Sequence, residues 1–421
     1  MHVAIVGGGI GGMALALSLE AAGIFDVTVY ESAHSIRELG VGINVLPHSV
    51  RELAELGLLD QLSATGISTA EYIYYSKQGQ QIWSEPLGLG SGYRWPQISI
   101  HRGELLGVLH RAVIERLGPR SVNTGHHLIR FGNSSDGRVW AEFIDRATET
   151  VVDRIETDLL VACDGIHSVV RRALFPDEGP PKWNGVTMWR GVALGQPFLS
   201  GRTMINAGSS RQRIVVYPIS KAHEDRGQAL INWVATRKTS GSGPMPIQDW
   251  TRRANRADVL EAFASYEFDF LNLPALIQGT REIFQYPMVD RDPLPTWSFG
   301  HVTLLGDAAH PMHPIGGNGA SQAIIDARVL ARELALQPTF DAAIAAYDDQ
   351  RRPATAAVVQ SNRRAGPHRC QDLVEERAPD GFTALHDVVS QQELAEIAND
   401  YKRIAGFEIE RLNNRATLSV D

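Results

Sequence analysis

The N-terminal part of the chain alternates short apolar runs, glycine turns and longer helical patterns. His2 to Val6, "HVAIV", is rich in β-branched residues and reads as a buried strand. "MALALSLEAAG" follows, built of good helix formers and ending at a glycine suited to a helix C-terminus. "DVTVYE" then reads as a second buried strand that ends on Glu31. The same grammar recurs. "TDLLVACDGIHSVVRRAL" (157–174) gives strand, Asp-Gly turn and helix, and "VTLLGDAAHPMHPIGGNGASQA" (302–323) gives strand, Gly-Asp, a Pro/Gly-rich loop and helix. In "ISIHRGELLGVL" (98–109) a β-type run passes into a helical pattern at Arg102. Between these stations "MWRGVAL", "RIVVYPIS" and "QALINWVAT" carry the β-branched and aromatic content of an antiparallel sheet. The tail, with "SQQELAEIANDYKRIAGFEIERL", is helical and polar.

At 421 residues the chain exceeds what one core usually serves, so two domains are expected. A net charge of −8 argues against a nucleic-acid or anionic-membrane partner, without excluding a local basic funnel. Two cysteines, Cys163 and Cys370, make no disulfide framework and point to a reducing, cytoplasmic setting. No apolar run is long enough to span a bilayer, and the N-terminus reads as a first strand, not a leader peptide.

Gly7, Gly9 and Gly12 fall in G-x-G-x-x-G spacing between the first strand and the first helix. Gly7 permits the tight turn, Gly9 leaves room for a pyrophosphate, and Gly12 lets the helix pack on the strand. The helix N-terminus offers N–H groups to the phosphates, and Glu31 can accept from ribose hydroxyls. The fingerprint alone does not separate NAD from FAD. Asp164 and Asp307 are expected at strand ends, where open α/β sheets hold ligands, although an Asp-Gly pair such as Asp164-Gly165 also serves simply to fix a turn. Arg102 stands where it can reach a phosphate or a flavin edge, or remain a surface side chain. His310 and His313 are spaced H-x-x-H, but Pro311 and Pro314 break any helix that would align them, so no metal site is expected.

Taken together, these motifs resemble the class A flavoprotein monooxygenases of the para-hydroxybenzoate hydroxylase type. "GGGIGG" with Glu31, "CDG" at 163–165, "GDAAHPMHPIGGNGASQA" at 306–323 and "YDDQRRP" at 347–353 carry the resemblance. "ELGVGINVLP", "SIHRGEL", "TMWRG" and "QYPMVDRDPLPTW" are most similar to the phenazine-modifying branch, that of 5-methylphenazine-1-carboxylate monooxygenase, while the chain beyond about Gly366 is less similar.

The resemblance implies an α/β fold: a Rossmann-like (GR2-type) FAD-binding domain at 1–175 and 290–365, with an inserted α+β substrate domain at 176–289. The antiparallel sheet of the insert would cover the flavin, and 366–421 would form a C-terminal helical segment on the FAD domain or a partner subunit. It implies FAD as cofactor and NADH or NADPH as a transient co-substrate. An aromatic or heteroaromatic substrate would be hydroxylated with O₂ through a C4a-hydroperoxyflavin, with or without decarboxylation. The protein would act as a monomer or homodimer.

Asp307 would bind the ribityl chain, Glu31 the adenosine ribose, Arg102 the phosphates and ribityl chain, and Asp164-Gly165 both FAD and NAD(P)H. Ile10, Gly11, Gly42 and Leu128 complete the expected cofactor set. The loop of Pro314, Gly317, Asn318 and Gly319 would lie by the isoalloxazine ring. Backbone N–H groups from Gly317 to Ala320 and the helix dipole would stabilise negative charge on the reduced ring.

Arg190 is a candidate for pairing a substrate carboxylate, a structural ion pair being the commoner fate. Trp189 and Tyr217 are candidates for stacking on the substrate, although such residues more often pack in cores. His313, Met288 and Trp297 complete the candidate substrate contacts, whereas His310 is expected to make a structural hydrogen bond. The competing readings are a reductase or dehydrogenase on the same fold and a non-enzymatic dinucleotide-binding regulator. Asp307 with Gly316–Gly319 counts against the regulator, and no W-x-W-x-I-P-type motif supports a halogenase.

Overall fold

The computed structural model describes residues 1–36, 40–239 and 252–420. Among them a six-stranded sheet runs in the order Ser298–Phe299, Val302–Leu304, Leu159–Ala162, Val3–Val6, Val27–Glu31, Val122–Thr124. All its pairs are parallel except the first, a short hairpin. Every residue of Val3–Val6 and Leu159–Ala162 is buried, as a sheet covered on both faces requires. The helix Ile10–Ala21 is apolar all round, because it is wedged between this sheet and the helix Gly319–Leu336.

A second sheet has seven strands, in the order Phe284–Asp290, Lys182–Gly195, Ala229–Lys238, Gln212–Pro218, Thr203–Gly208, Glu71–Tyr75, Gln81–Pro86. Its last two strands come from the first 175 residues and add a parallel pair to an otherwise antiparallel sheet. Side chains alternate between its faces. Trp189, Ile214, Val216, Trp233 and Ala235 pack on one face against the helices Arg256–Ala262 and Leu273–Gly279. The opposite face, with Met188, Arg190, Arg213, Val215 and Tyr217, lines a cavity.

The tail forms the helices Arg369–Arg377, Gln391–Ala405 and Ile409–Asn414. Cys370, Leu373, Val374, Val389 and Leu394 pack with Tyr72, Tyr74, Ile82 and Tyr217 of the seven-stranded sheet. Burying each such aliphatic side chain contributes about 1.5–3 kcal/mol before entropy is counted. Gln391–Ala405 also packs on the long helix Phe340–Arg363, so the tail bridges both sheet systems. No helix among the described residues is long and apolar enough to cross a membrane.

Candidate active site

A cavity of about 440 Å³ is lined by the first strand–helix turn, the glycine-rich loop before Gly319 and the free face of the seven-stranded sheet. Among the described residues four cations, Arg102, Arg190, Arg213 and Lys402, line it against two carboxylates, Glu85 and Asp307. In a chain of net charge −8 the cavity is thus a local inversion of charge, which draws anionic ligands inward.

The fingerprint glycines divide their work as the spacing predicts. Gly7 has φ +107°, and a Cβ there would meet the Cys163 carbonyl oxygen at 2.4 Å. A Cβ on Gly12 would stand 2.0 Å from the Gly7 carbonyl oxygen. Nothing lies within 4 Å of the corresponding position on Gly9, so the backbone there is open to a ligand. The first backbone bond of the helix runs from Met13 N–H to the Gly9 carbonyl at 2.9 Å. Ile10, Gly11 and Gly12 therefore offer N–H groups that have no partner within the helix. Gly9, Ile10 and Gly11 line the cavity, while Gly7 and Gly12 shape it from behind.

Glu31 stands at the end of its strand with its carboxylate partly engaged. Oε2 accepts the Gly8 N–H and Oε1 the Ala33 N–H, each at 2.7 Å. A carboxylate has about four acceptor positions, so lone pairs remain for a ribose. Leu128 is 1% exposed and its side chain lies in the core, leaving only its backbone available to a cofactor. Oδ2 of Asp164 accepts the Val169 N–H at 2.7 Å, so this residue does fix its turn. Its buried Oδ1 has no hydrogen-bond partner among the described residues, and burial pushes its carboxyl up. Gly165, next to it, lines the cavity, and so do Gly42 and Arg102.

Asp307 opens onto the cavity, although protein surrounds it on the other sides. Burial pushes its carboxyl up, partly opposed by His310 and Arg102. In the loop, Gly316 and Gly317 have φ +70° and +66°, two consecutive left-handed residues that only glycine adopts without strain. They turn the chain into Gly319–Leu336, whose first backbone bond runs from Gln322 N–H to the Asn318 carbonyl at 2.9 Å. The N–H groups of Gly319, Ala320 and Ser321 have no partner within the helix, and Gly319 and Ala320 line the cavity with Pro314 and Gly317. The open backbone at Gly9, the orphaned Asp164 Oδ1, Asp307 and two helix N-termini facing one cavity together fit a bound FAD.

On the sheet face, Arg190 donates through Nη2 to the Gly42 carbonyl at 2.9 Å. The Tyr217 hydroxyl is buried near Arg190 and Asn232; burial pushes it up to about 12, partly opposed by the Arg190 charge. Asn232 Oδ1 in turn accepts the Gly42 N–H at 2.7 Å. Arg190, Tyr217 and Met288 line the cavity as expected.

Three expected side-chain contacts do not. Trp189 is 7% exposed in the core on the other side of the sheet, its Nε1 bonded to Gln285 at 3.1 Å. Consecutive strand residues face opposite ways, so Trp189 and Arg190 cannot share a ligand. The His313 imidazole is buried, 3.6 Å from an Asp290 that Arg363 clamps at 2.7 and 2.9 Å, and does not line the cavity. Trp297 is fully packed beside His310 and Tyr347. In the glycine-rich loop, where the backbone is expected to act, the Asn318 side chain is buried and donates to the Tyr401 hydroxyl at 2.9 Å. His310, as expected, is structural: its Nε2 lies 2.5 Å from Asp326, which also accepts from Arg351 at 2.7 Å.

The tail supplies lining that the motifs do not announce: Pro367, His368, Tyr401, Lys402 and Phe407. Tyr401 packs so closely on the loop that a Cβ on Gly316 would meet its hydroxyl oxygen at 2.1 Å. Its hydroxyl lies 3.1 Å from both the Ile315 carbonyl and Asn362 Oδ1. The aromatic residues of the tail, Tyr401 and Phe407, are the available signal in the sequence, but nothing local says what they cover.

The FAD binding domain family matches residues 1–362. Phenazine 1,6-dicarboxylic acid hydroxylase of Lysobacter antibioticus is 46% identical over 369 residues, covering 86% of this chain and 89% of that protein. A 3-amino-4-hydroxybenzoate 2-monooxygenase of Streptomyces platensis is 31% identical over 427 residues, covering 98% of each. In fold, the chain matches Klebsiella pneumoniae HpxO complexed with FAD and uric acid at a TM-score of 0.71 and 24% identity, covering 98% of this chain and 95% of that one. The chain belongs to the FAD binding domain family, among the FAD-dependent class A aromatic monooxygenases.

Proposed function

We propose that the protein hydroxylates a flat heteroaromatic acid of phenazine size, consuming NAD(P)H and O₂. One observation carries this reading: a cavity with a net excess of cations joins the dinucleotide turn to an apolar and aromatic sheet face. The relative that acts on phenazine 1,6-dicarboxylic acid, at 46% identity, supports the choice of ring. FAD, when bound, accepts hydride from NAD(P)H and activates O₂.

This chain's own residues do the rest. Ile10, Gly11 and Gly12 present N–H groups to the pyrophosphate, Glu31 the ribose acceptor, and Asp307 and Arg102 the contacts between. Gly319 and Ala320 line the cavity at a helix N-terminus, and their N–H groups would stabilise negative charge on a flavin held there. Met288 and Tyr217 face the substrate from the sheet. Arg190 holds Gly42 in the wall. Tyr401 and Phe407 exclude water from the loop side.

The substrate domain is taken as 176–289 together with the strands Glu71–Tyr75 and Gln81–Pro86, and 1–175 otherwise joins 290–365 around FAD. The cytoplasmic placement is supported by two free cysteines, Cys163 and Cys370, and the protein is taken to act as a monomer or homodimer.

The test is NAD(P)H consumption by the yellow protein against a panel of phenazine, pyridine and benzene carboxylates, with product masses. A stimulated rate and a product gaining one oxygen, or exchanging CO₂ for OH, is expected. Stimulation that yields only hydrogen peroxide from every ring would overturn the substrate reading.

A further inference from the structure

Arg213 is 6% exposed, lines the cavity, and is only half used. Its Nη1 bonds His368 Nδ1 at 2.9 Å. Its Nε and Nη2 have no hydrogen-bond partner among the described residues. Asp372 Oδ1 is an ion-pair partner at 3.6 Å from Nη2, beyond hydrogen-bond length, and accepts the Ser210 N–H at 2.6 Å, so it balances charge without filling the donors of that edge. Nε and Nη2 share the guanidinium edge that carries two parallel N–H bonds. That edge takes a carboxylate bidentately.

His368 completes the arrangement. It is 4% exposed and also lines the cavity. Arginine only donates, so Nδ1 accepts and the proton of the neutral ring sits on Nε2. That Nε2–H has no partner among the described residues either. Burial, then the Arg213 charge, holds the imidazole well below its usual range, so it stays a neutral donor. Nearby, the Tyr72 hydroxyl accepts from Asn206 Nδ2 at 3.1 Å and keeps its own hydrogen to donate into the cavity.

Unmet buried donors are costly, because each has given up its water without a replacement acceptor. Three of them on two adjoining side chains in one cavity wall mark a place where an acceptor belongs. Arg213 pairs in register with Thr236, and Thr236 with Met188, two residues from Arg190 on the same face. With strands ~4.8 Å apart and ~3.4 Å per residue, the Arg213 and Arg190 Cα atoms are about 12 Å apart. The two arginines are therefore separate features. Arg190 gives Nη2 to the Gly42 carbonyl and leaves only Nε without a partner among the described residues, whereas Arg213 leaves both Nε and Nη2 of one edge without a hydrogen-bond partner.

We propose that Arg213 and His368 form an anion subsite that receives a carboxylate of the aromatic substrate and makes the cavity select acids over neutral rings. The inference rests on the aromatic-substrate reading above and adds the group by which the ring is held. Arg213 is a specificity-determining residue in this account and takes no part in oxygen transfer.

The experiment titrates the oxidised, FAD-loaded protein with acid and amide pairs of the same ring: benzoate and benzamide, 1-naphthoate and 1-naphthamide, phenazine-1,6-dicarboxylate and its diamide. Binding is read from the flavin absorption spectrum. In the wild type the acid of the best-fitting pair is expected to bind about tenfold or more tighter than its amide. Arg213→Gln removes that preference, leaves amide affinity and FAD content unchanged, and raises KM for the acid more than it lowers kcat. Arg213→Lys, which keeps the charge without the fork, retains part of the preference and serves if the glutamine variant does not fold.

Equal binding of acids and amides by the wild type, no binding of any acid, or a preference that survives both substitutions overturns the subsite. The functional reading is tested separately by product mass. An oxygenated amide would leave the hydroxylase standing without the subsite. Acids held through Arg213 but never oxygenated would leave the subsite without the proposed substrates.

Discussion

Trp189 and Arg190 are neighbours in the sequence and lie on opposite sides of a sheet. One packs with Trp233 and Ile214, the other reaches Gly42 across the cavity. The strand pattern of "MWRGVAL" was legible, and period two already implied that only one of the pair can meet a ligand. Which one depends on the side the Arg256–Ala262 and Leu273–Gly279 helices cover, and that is a tertiary fact.

Asp307 was read from its place at a strand end, and it does open onto the cavity. Asp307→Ala is expected to lower FAD affinity about tenfold or more, the worth of a charge-assisted hydrogen bond. The flavin-to-protein absorbance ratio after gel filtration reads this directly, and full retention would remove Asp307 from the cofactor contacts. Tyr217→Ala is expected to raise substrate KM with FAD still bound, because the ring faces the cavity away from the fingerprint turn. Unchanged kinetics would leave Tyr217 a wall residue only.

At the scale of elements, the glycine fingerprint was the most legible feature, because each glycine answers to a contact within the same βαβ unit or the strand beside it. Gly12→Ala puts a methyl 2.0 Å from the Gly7 carbonyl oxygen. The helix must then shift, at a cost of about 1–3 kcal/mol, with loss of bound FAD. Thermal denaturation with and without added FAD reports both effects.

The helix Pro47–Glu55 was not legible as part of the site. It carries His48, which is fully buried, stacks on Phe407 at 5.1 Å and belongs to neither motif nor cavity wall. Burial first, then Arg415 and Arg351, lowers its imidazole to about 3. An unfolded histidine titrates near 6.5. Between those values only the unfolded chain takes up the proton. The contribution of His48 is therefore complete above about pH 6.5 and falls as the pH drops toward 3, by up to about 1.4 kcal/mol per pH unit. Urea unfolding at pH 7.5 and 5.5 is expected to show the loss. His48→Gln should narrow the difference, although His313 and His368, also lowered, act in the same direction. An equal difference in the variant would assign the effect to the other lowered histidines, which also include His110, His127, His167 and His223.

At the scale of the molecule, the tail is a wall of the cavity. Lys402 pairs with Glu85 at 2.6 Å, Tyr93 donates to the Phe407 carbonyl at 2.5 Å, and Tyr401 rests on the glycine loop. Removing the chain beyond Arg364 uncovers the loop side and strips the apolar cover from Tyr72, Tyr74 and Ile82. The truncated protein is expected to release more hydrogen peroxide per NAD(P)H consumed, because water then reaches the reacting ring. A peroxide assay against the full chain checks it. Unchanged coupling would reduce the tail to a stability element.

The sequence by itself determined the dinucleotide turn, because its glycines act within a few positions of one another, where spacing and backbone freedom are local. The fold class and FAD came through the resemblance that several motifs carry in order, since the glycine spacing alone fits NAD as well. Through the same resemblance it grouped Asp307 and the Gly316–Gly319 loop with the fingerprint, and they line one cavity with Gly9, Ile10 and Gly11. Only the tertiary structure decided which sheet face lines the cavity, that His313 and Trp297 are packed away, and that Arg213, His368 and the tail close the cavity. These placements depend on contacts between segments more than a hundred residues apart. No local pattern encodes them, because burial of an apolar face does not name its partner.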